Sequence, residues 1–318
     1  MAHLMARILN LSSSSNTKFN APRSQPCNPV SNMSEKQVRP AERTGASPEA
    51  IISHYDMGND FFRLVLDPEM IYSCALFKGD DDLATAQRHK LDHHIDAAGA
   101  ANTARVLDIG CGWGAMLRRL VDHAGVAHAV GLTLSPSQAR WIRDGANPKI
   151  EVREQDWRDH KPDRRYDAII SVGAFEHFVQ KGLDPATKLD AYREFFAYCD
   201  SVLVTGGRLS LQTIAYSERH KVLPLLEKTF PESDLPLEWE PIAAAEGRFS
   251  LIAARNDADH YYRTLLMWEQ NLLANYDRAV ALVGDERTAE FRRYLRLSAT
   301  GFRMGMVSLM RFSFLKKY

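Results

Sequence analysis

Leu107-Asp108-Ile109-Gly110-Cys111-Gly112-Trp113-Gly114 is the stretch whose reading decides the fold. Val106–Ile109 is a short, mostly apolar run that ends in glycines, and helical periodicity follows over 113–124. Glycines at such a strand-to-helix junction let the backbone turn tightly and approach a ligand closely, as nucleotide-binding α/β folds require. The same alternation continues outward. Strands are expected at 127–132, 149–153, 167–172 and 207–214, with helices at 135–145 and 187–201 between them. Strands separated by helical patterns imply a parallel sheet covered on both faces. Before the loop, 50–66 and 82–98 read as helices. After it come a strand at 249–255, helices at 259–279 and 285–299, and a last strand near 303–313.

The chain's 318 residues allow one large domain with an elaborated cap. Its 40 basic residues equal its 40 acidic ones, so no global field recruits nucleic acid. Four scattered cysteines (Cys27, Cys74, Cys111, Cys199) make neither a disulfide framework nor a CxxC metal site, and no metal is expected. No apolar run has the length of a membrane helix, and a secretory signal pattern is lacking; a cytoplasmic setting is the expectation. Residues 1–45 read as a flexible tail rich in Ser, Asn and Pro. Within it, Leu4–Leu11 alone has helical apolar spacing, compatible with docking on a second copy in a homo-oligomer. The expected division is then a helical cap at 46–100, a core at 101–215, substrate-side helices at 216–300 and a final strand at 301–318.

Asp108 with the D-x-G-x-G-x-G spacing favours the methyl-donor version of the loop over the dinucleotide version: an acid here can balance a cationic amino-acid end. Gly110, Gly112 and Gly114 then face the ligand. Where an acidic residue commonly ends the second strand and takes the ribose hydroxyls, Thr133 stands, followed by Leu134. Gln138 is therefore a ribose candidate, while Ser135 and Pro136 also read as an ordinary helix start. Asp156 could accept from an adenine amino group, with Trp157 covering the ring.

Further motifs stand in order. His54-Tyr55-Asp56-x-x-Asn59-Asp60-Phe61-Phe62 is followed by Asp67-Pro68, Tyr72-Ser73-Cys74-Ala75 and, after the loop, Ser171-Val172-Gly173-Ala174-Phe175-Glu176-His177-Phe178. Tyr261, Thr264, Leu265, Trp268 and Phe302-Arg303-x-Gly305 close the set. From about residue 50 to the end it closely resembles the cyclopropane fatty acid synthase family, including the mycolic acid cyclopropane synthases. The resemblance implies a Rossmann-like class I methyltransferase fold: a seven-stranded, mostly parallel sheet with an antiparallel last strand, an N-terminal helical cap and inserted C-terminal helices. It implies S-adenosylmethionine as cofactor, contacted by Tyr72 and Ser73. It also implies a bicarbonate ion held near the transferred methyl by Cys74 through its backbone, Glu176 and Tyr261. Taken singly, Tyr261 reads as packing, Cys74 as a small buried hydrophobe and Glu176 as a helix-terminal acid.

Two features depart from the family pattern. Gln212 stands where a histidine would help grip the ion; it can donate through its amide but cannot carry a proton near neutral pH. The connection from Ile214 to Phe230-Pro231 is shorter than in the mycolic enzymes, over the expected acyl channel. The expected activity is C-methylation of a carbon–carbon double bond through a carbocation, giving a methyl-branched or cyclopropane product. The acceptor is a hydrophobic, alkene-containing lipid or an isoprenoid-like, specialised metabolite. The alternative is small-molecule N-methylation, since related plant N-methyltransferases share this core.

Overall fold

The computed structural model describes Gly45, residues 57–217 and residues 233–318. The rest of the tail, His54-Tyr55-Asp56 and most of the connection after Ile214 lie outside the described residues. The cap supplies α1 (Asn59–Val65) and α2 (Leu83–Ala98). The core follows as β1 (Arg105–Ile109), α3 (Ala115–Asp122), β2 (His128–Thr133), α4 (Pro136–Asp144), β3 (Ile150–Glu154) and β4 (Tyr166–Val172). Then come α5 (Pro185–Val202), β5 (Leu203–Tyr216), α6 (Glu240–Ala245) and β6 (Phe249–Asn256). The chain ends with α7 (Ala258–Ala274), α8 (Tyr276–Val283), α9 (Asp285–Arg303) and β7 (Val307–Lys316).

One seven-stranded sheet has the order β3-β2-β1-β4-β5-β7-β6. Pairings from β3 to β5 are parallel, and only β7 runs against its two neighbours. This is the expected sheet. Side chains alternate between faces along a strand. Leu107 and Ile109 therefore join one core with Ile169, Leu211, Phe312 and the α5 residues Phe195 and Phe196. Val106, Ala168 and Ile170 point the other way, against Leu91 and Ile95 of α2 and Leu117 and Leu120 of α3. Covering both faces explains why these strands read as apolar runs.

The same alternation carries polar residues to the α2 side. Asp108 follows Val106, and Ser210 and Gln212 flank the inward Leu211. From α2, Gln87, Lys90 and His94 are each at most 2% exposed, spaced to share one side of the helix. Most buried polar groups find hydrogen-bond partners, and those left without one mark places open to a ligand. A third cluster packs Phe61 and Phe62 of α1 against Trp268 of α7 and Phe291 and Tyr294 of α9.

Three boundaries differ most from expectation: among the described residues the helix expected over 50–66 starts only at Asn59, after Gly58 at φ +82°. The helix expected over 259–279 breaks at Asn275, whose amide Nδ2 is turned to the carbonyls of Leu64 and Asn271. The last strand starts at Val307 because α9 runs on to Arg303 and closes through Gly305 N–H to Phe302 O and Met306 N–H to Gly301 O. The apolar Phe302 belongs to that helix and is buried there. It is not the start of a strand.

Candidate active site

The carboxyl ends of β1, β2 and β4 open on one cavity. Tyr72, Ser73, Asp108, Gly110, Gly112, Thr133, Leu134, Gln138, Asp156 and Trp157 all line it. Gly114 stands outside the lining: it caps α3, and a side chain there would meet Ile142 at 2.8 Å. The loop is held by the N–H groups of Gly110 and Cys111, both donating to Leu132 O at 3.0 Å. Gly110 has φ +82°, and a Cβ at this position would come within 2.4 Å of the Ala174 Cβ, so only glycine lets the loop lie this close to the segment after β4. Gly112 (φ +52°) differs, because a Cβ there would meet nothing within 4 Å. A side chain at 112 would project into ligand space. Gly112→Val should therefore abolish binding of S-adenosylhomocysteine in a folded protein, measured by calorimetry; unchanged affinity would make the loop a mere turn.

The cavity suits the implied cofactor. Asp108 is buried, makes no hydrogen bond or ion pair among the described residues, and is pushed up to about 7 by burial. An acid so placed gains by pairing with a ligand's ammonium group. At the end of β2, Thr133 Oγ1 donates to Gln138 Oε1 at 2.8 Å, which leaves the Gln138 amide as the donor that remains. Ser135 caps α4 by accepting from Gln138 N–H, with Pro136 in the first turn, so the helix-start reading holds and Gln138 still lines the cavity. Asp156 accepts from Arg158 N–H at 2.9 Å. Trp157 is buried among Phe178, Phe195 and Tyr198 with the Arg158 guanidinium over its ring, and its Nε1 has no partner among the described residues.

The other predicted residues are joined through side chains absent from the sequence reading. Gln212 of β5 pairs in register with Arg311 of β7. Arg311 Nε donates to Gln212 Oε1 at 2.8 Å, so His94 Nε2, 3.2 Å from the same oxygen, is the second donor. His94 Nδ1 then accepts from Ser210 Oγ at 2.8 Å, and burial, reinforced by Arg311, keeps the imidazole neutral by pushing its pKa well down. Arg311 Nη1 binds the Asp257 carboxylate, and Nη2 donates to the carbonyls of Cys74 at 3.3 Å and Ala75 at 3.1 Å. Asp257 in turn starts α7, where its carbonyl accepts from Tyr261 N–H at 3.2 Å. One buried guanidinium thus ties together the segments carrying Cys74, Gln212 and Tyr261. The Cys74 thiol, pushed up to about 12 by burial, stays neutral and donates to Ala75 O.

Glu176 sits in the short turn Phe175–His177 after β4, 6% exposed. Its Oε1 accepts from Ile214 N–H at 2.7 Å, while Oε2 is buried without a partner among the described residues. Burial raises the carboxyl to about 7. An orphaned carboxyl oxygen of this kind fits a small hydrogen-bonding ion, the group the resemblance implies. Aromatic rings run from the cavity wall toward the C-terminal helices: Tyr72 lies 5.1 Å from Trp268, Trp268 6.1 Å from Tyr261, and Tyr261 4.6 Å from Phe302. Tyr294 lies beside Tyr72 and near enough to Glu176 to feel its charge.

A sheet in this order, with its last strand reversed and its first strand ending in the glycine loop, is that of the class I methyltransferases; the protein is an S-adenosylmethionine-dependent methyltransferase. It belongs to the mycolic acid cyclopropane synthetase family, which residues 42–312 match. It is 32% identical to cyclopropane mycolic acid synthase MmaA2 of Mycobacterium tuberculosis over 290 residues, 84% of this chain and 97% of that one. The solved MmaA2 structure superposes with a TM-score of 0.78 at 31% identity, covering 86% of this chain and all of the other. Mycolic acid cyclopropane synthase CmaA1, solved with SAH and CTAB, gives 0.76 at 31% identity and the same coverage. Coclaurine N-methyltransferase, 21% identical, shares the fold with a TM-score of 0.72, covering 87% of this chain and 84% of that one. No helix among the described residues is long and apolar enough to cross a membrane.

Proposed function

We propose that this enzyme methylates a carbon–carbon double bond in an unsaturated acyl lipid, through a carbocation that loses a proton to give a cyclopropane or a methyl branch. The observation that carries the reading is Glu176, a buried carboxyl with one oxygen fixed by Ile214 and the other unpartnered. S-adenosylmethionine, when bound, supplies an electrophilic sulfonium methyl that an alkene attacks without prior deprotonation. The chain must then stabilise a cation, exclude water and receive one proton. Tyr72, Trp268, Tyr261 and Phe302 supply aromatic faces for the first task and an apolar enclosure for the second. Glu176 Oε2 serves the third, since a carboxyl near 7 is matched to proton transfer at physiological pH.

Bicarbonate, when bound, would supply a second weak base beside Glu176, one that resists methylation. Glu176, Tyr261, the Cys74 backbone and the Gln212 amide would hold it. With Oε1 committed to Arg311 and His94, Gln212 can only donate, so it grips an anion without competing for the proton. An acyl lipid is supported over an isoprenoid-like metabolite by the relatives, which are named as mycolic acid enzymes. Incubation with methyl-labelled cofactor and a lipid extract, beside a polar metabolite extract, tests this. Label should enter a lipid heavier by one methylene, and proton NMR distinguishes ring from branch. Label found only on an amine would sink the carbon reading.

A further inference from the structure

Lys90 is a buried cation in the cavity wall. It is 2% exposed, and its ammonium donates to Ser73 Oγ at 2.8 Å. Among the described residues no carboxylate comes within ion-pair distance of it. Removing an ammonium from water costs several kcal/mol unless an anion compensates. Helix α2 nevertheless places it here by the same spacing that buries Gln87 and His94. Gln87 Nε2 donates to Ser73 O at 2.8 Å, so the cap segment carrying Tyr72 and Ser73 is pinned to α2 from two sides.

Asp108 lines the same cavity from the end of β1, on the sheet face that α2 covers. The wall thus presents one acid and one cation that are not paired with each other. The amino-acid end of the methyl donor is a zwitterion, with ammonium and carboxylate on one carbon. We infer that Lys90, positioned by Ser73, binds the carboxylate of the cofactor's amino-acid end while Asp108 takes its ammonium. Burial pushes Lys90 down to about 8 and Asp108 up to about 7, so each charged form gains from a partner of opposite sign. Arg311 opposes the charge on Lys90, while Asp67 and, more weakly, Asp108 attract it from beyond ion-pair distance; Asp67 itself is occupied with the N–H groups of Glu69 and Ile71. Lys90 then selects donors that keep their carboxylate.

The inference rests on the cavity being the methyl-donor site, and the test separates the two. Calorimetry on the full chain compares S-adenosylhomocysteine with its decarboxylated form, which keeps adenosine, sulfur and amine. The wild type should prefer the carboxylate ligand. Lys90→Met should weaken S-adenosylhomocysteine about 10–100-fold, the loss expected for one charge-assisted hydrogen bond, and leave the decarboxylated ligand within about threefold. Lys90→Gln, which can still donate to Ser73, should lose the same discrimination. The apo melting temperature of Lys90→Met should not fall, because a buried unpaired charge is removed. Equal losses for both ligands, or discrimination kept in Lys90→Gln, would overturn the assignment to Lys90. A wild type that binds neither ligand would overturn the cavity assignment beneath it.

Discussion

Arg311→Met should destabilise the fold by about 3–5 kcal/mol, the usual consequence of removing one partner from a buried ion pair. Arg311 is 1% exposed on the side chain and Asp257 4%. Without the guanidinium, the carbonyls of Cys74 and Ala75, the Gln212 oxygen and one oxygen of Asp257 all lose a donor at once. Methionine fills the volume but supplies none of these bonds. Arg255 still reaches Asp257 Oδ1 at 2.7 Å, which moderates the loss on the acid alone. The double variant Arg311→Met with Asp257→Asn removes both charges and should recover much of the stability. Denaturant unfolding of the two variants checks this, and a loss below about 1 kcal/mol for Arg311→Met would show that the network is not a support.

That network marks the limit of what the sequence makes legible. The sheet could be read because its strands are covered on both faces and its loops carry glycine signals: Leu107, Ile109, Ile169 and Leu211 are apolar for the same reason that they are strands. The cavity-lining candidates Gly110, Thr133, Gln138 and Asp156 could be read because they lie at or after strand ends, where an α/β sheet exposes its ligands. Lys90, His94, Asp257 and Arg311 follow the opposite logic. A charged or polar residue at helical or strand spacing reads as a solvated face, since such side chains are seldom buried. Their burial depends on partners 118 residues away for His94 and Gln212, and 237 for Arg311 and Cys74, which no local window contains. The usable hint was in α2, where Gln87, Lys90 and His94 share a side of the helix next to the apolar Leu91 and Ile95. The boundary at Val307 was missed for a related reason: Phe302 is apolar because a helix buries it, and apolarity alone does not distinguish helix from strand.

Glu176→Gln should lower kcat by about 10²–10⁴ while leaving S-adenosylhomocysteine affinity unchanged. Glutamine keeps the size of the side chain and an oxygen for the Ile214 N–H, so the turn after β4 stays in place. What it loses is an atom able to take a proton. Glu176 does not line the cofactor cavity, which is why binding should be spared. The wild-type carboxyl is raised to about 7 by burial, and in the proposed mechanism its ionised form is the one that serves proton removal. Turnover should therefore rise as pH is raised through about 7 and fall as pH drops below it, and the variant should lose this limb. Gln212→His restores the family's residue and should not harm proton loss, provided His94 and Arg311 still hold the site. Were the acceptor an amine, no cation would form; Glu176 would only steer a charged substrate, and its loss would raise KM more than it lowered kcat. Measuring both constants across pH, with and without added bicarbonate, separates the cases. A Glu176→Gln enzyme with near-normal kcat, an intact pH limb and no response to bicarbonate would refute proton removal through this carboxyl.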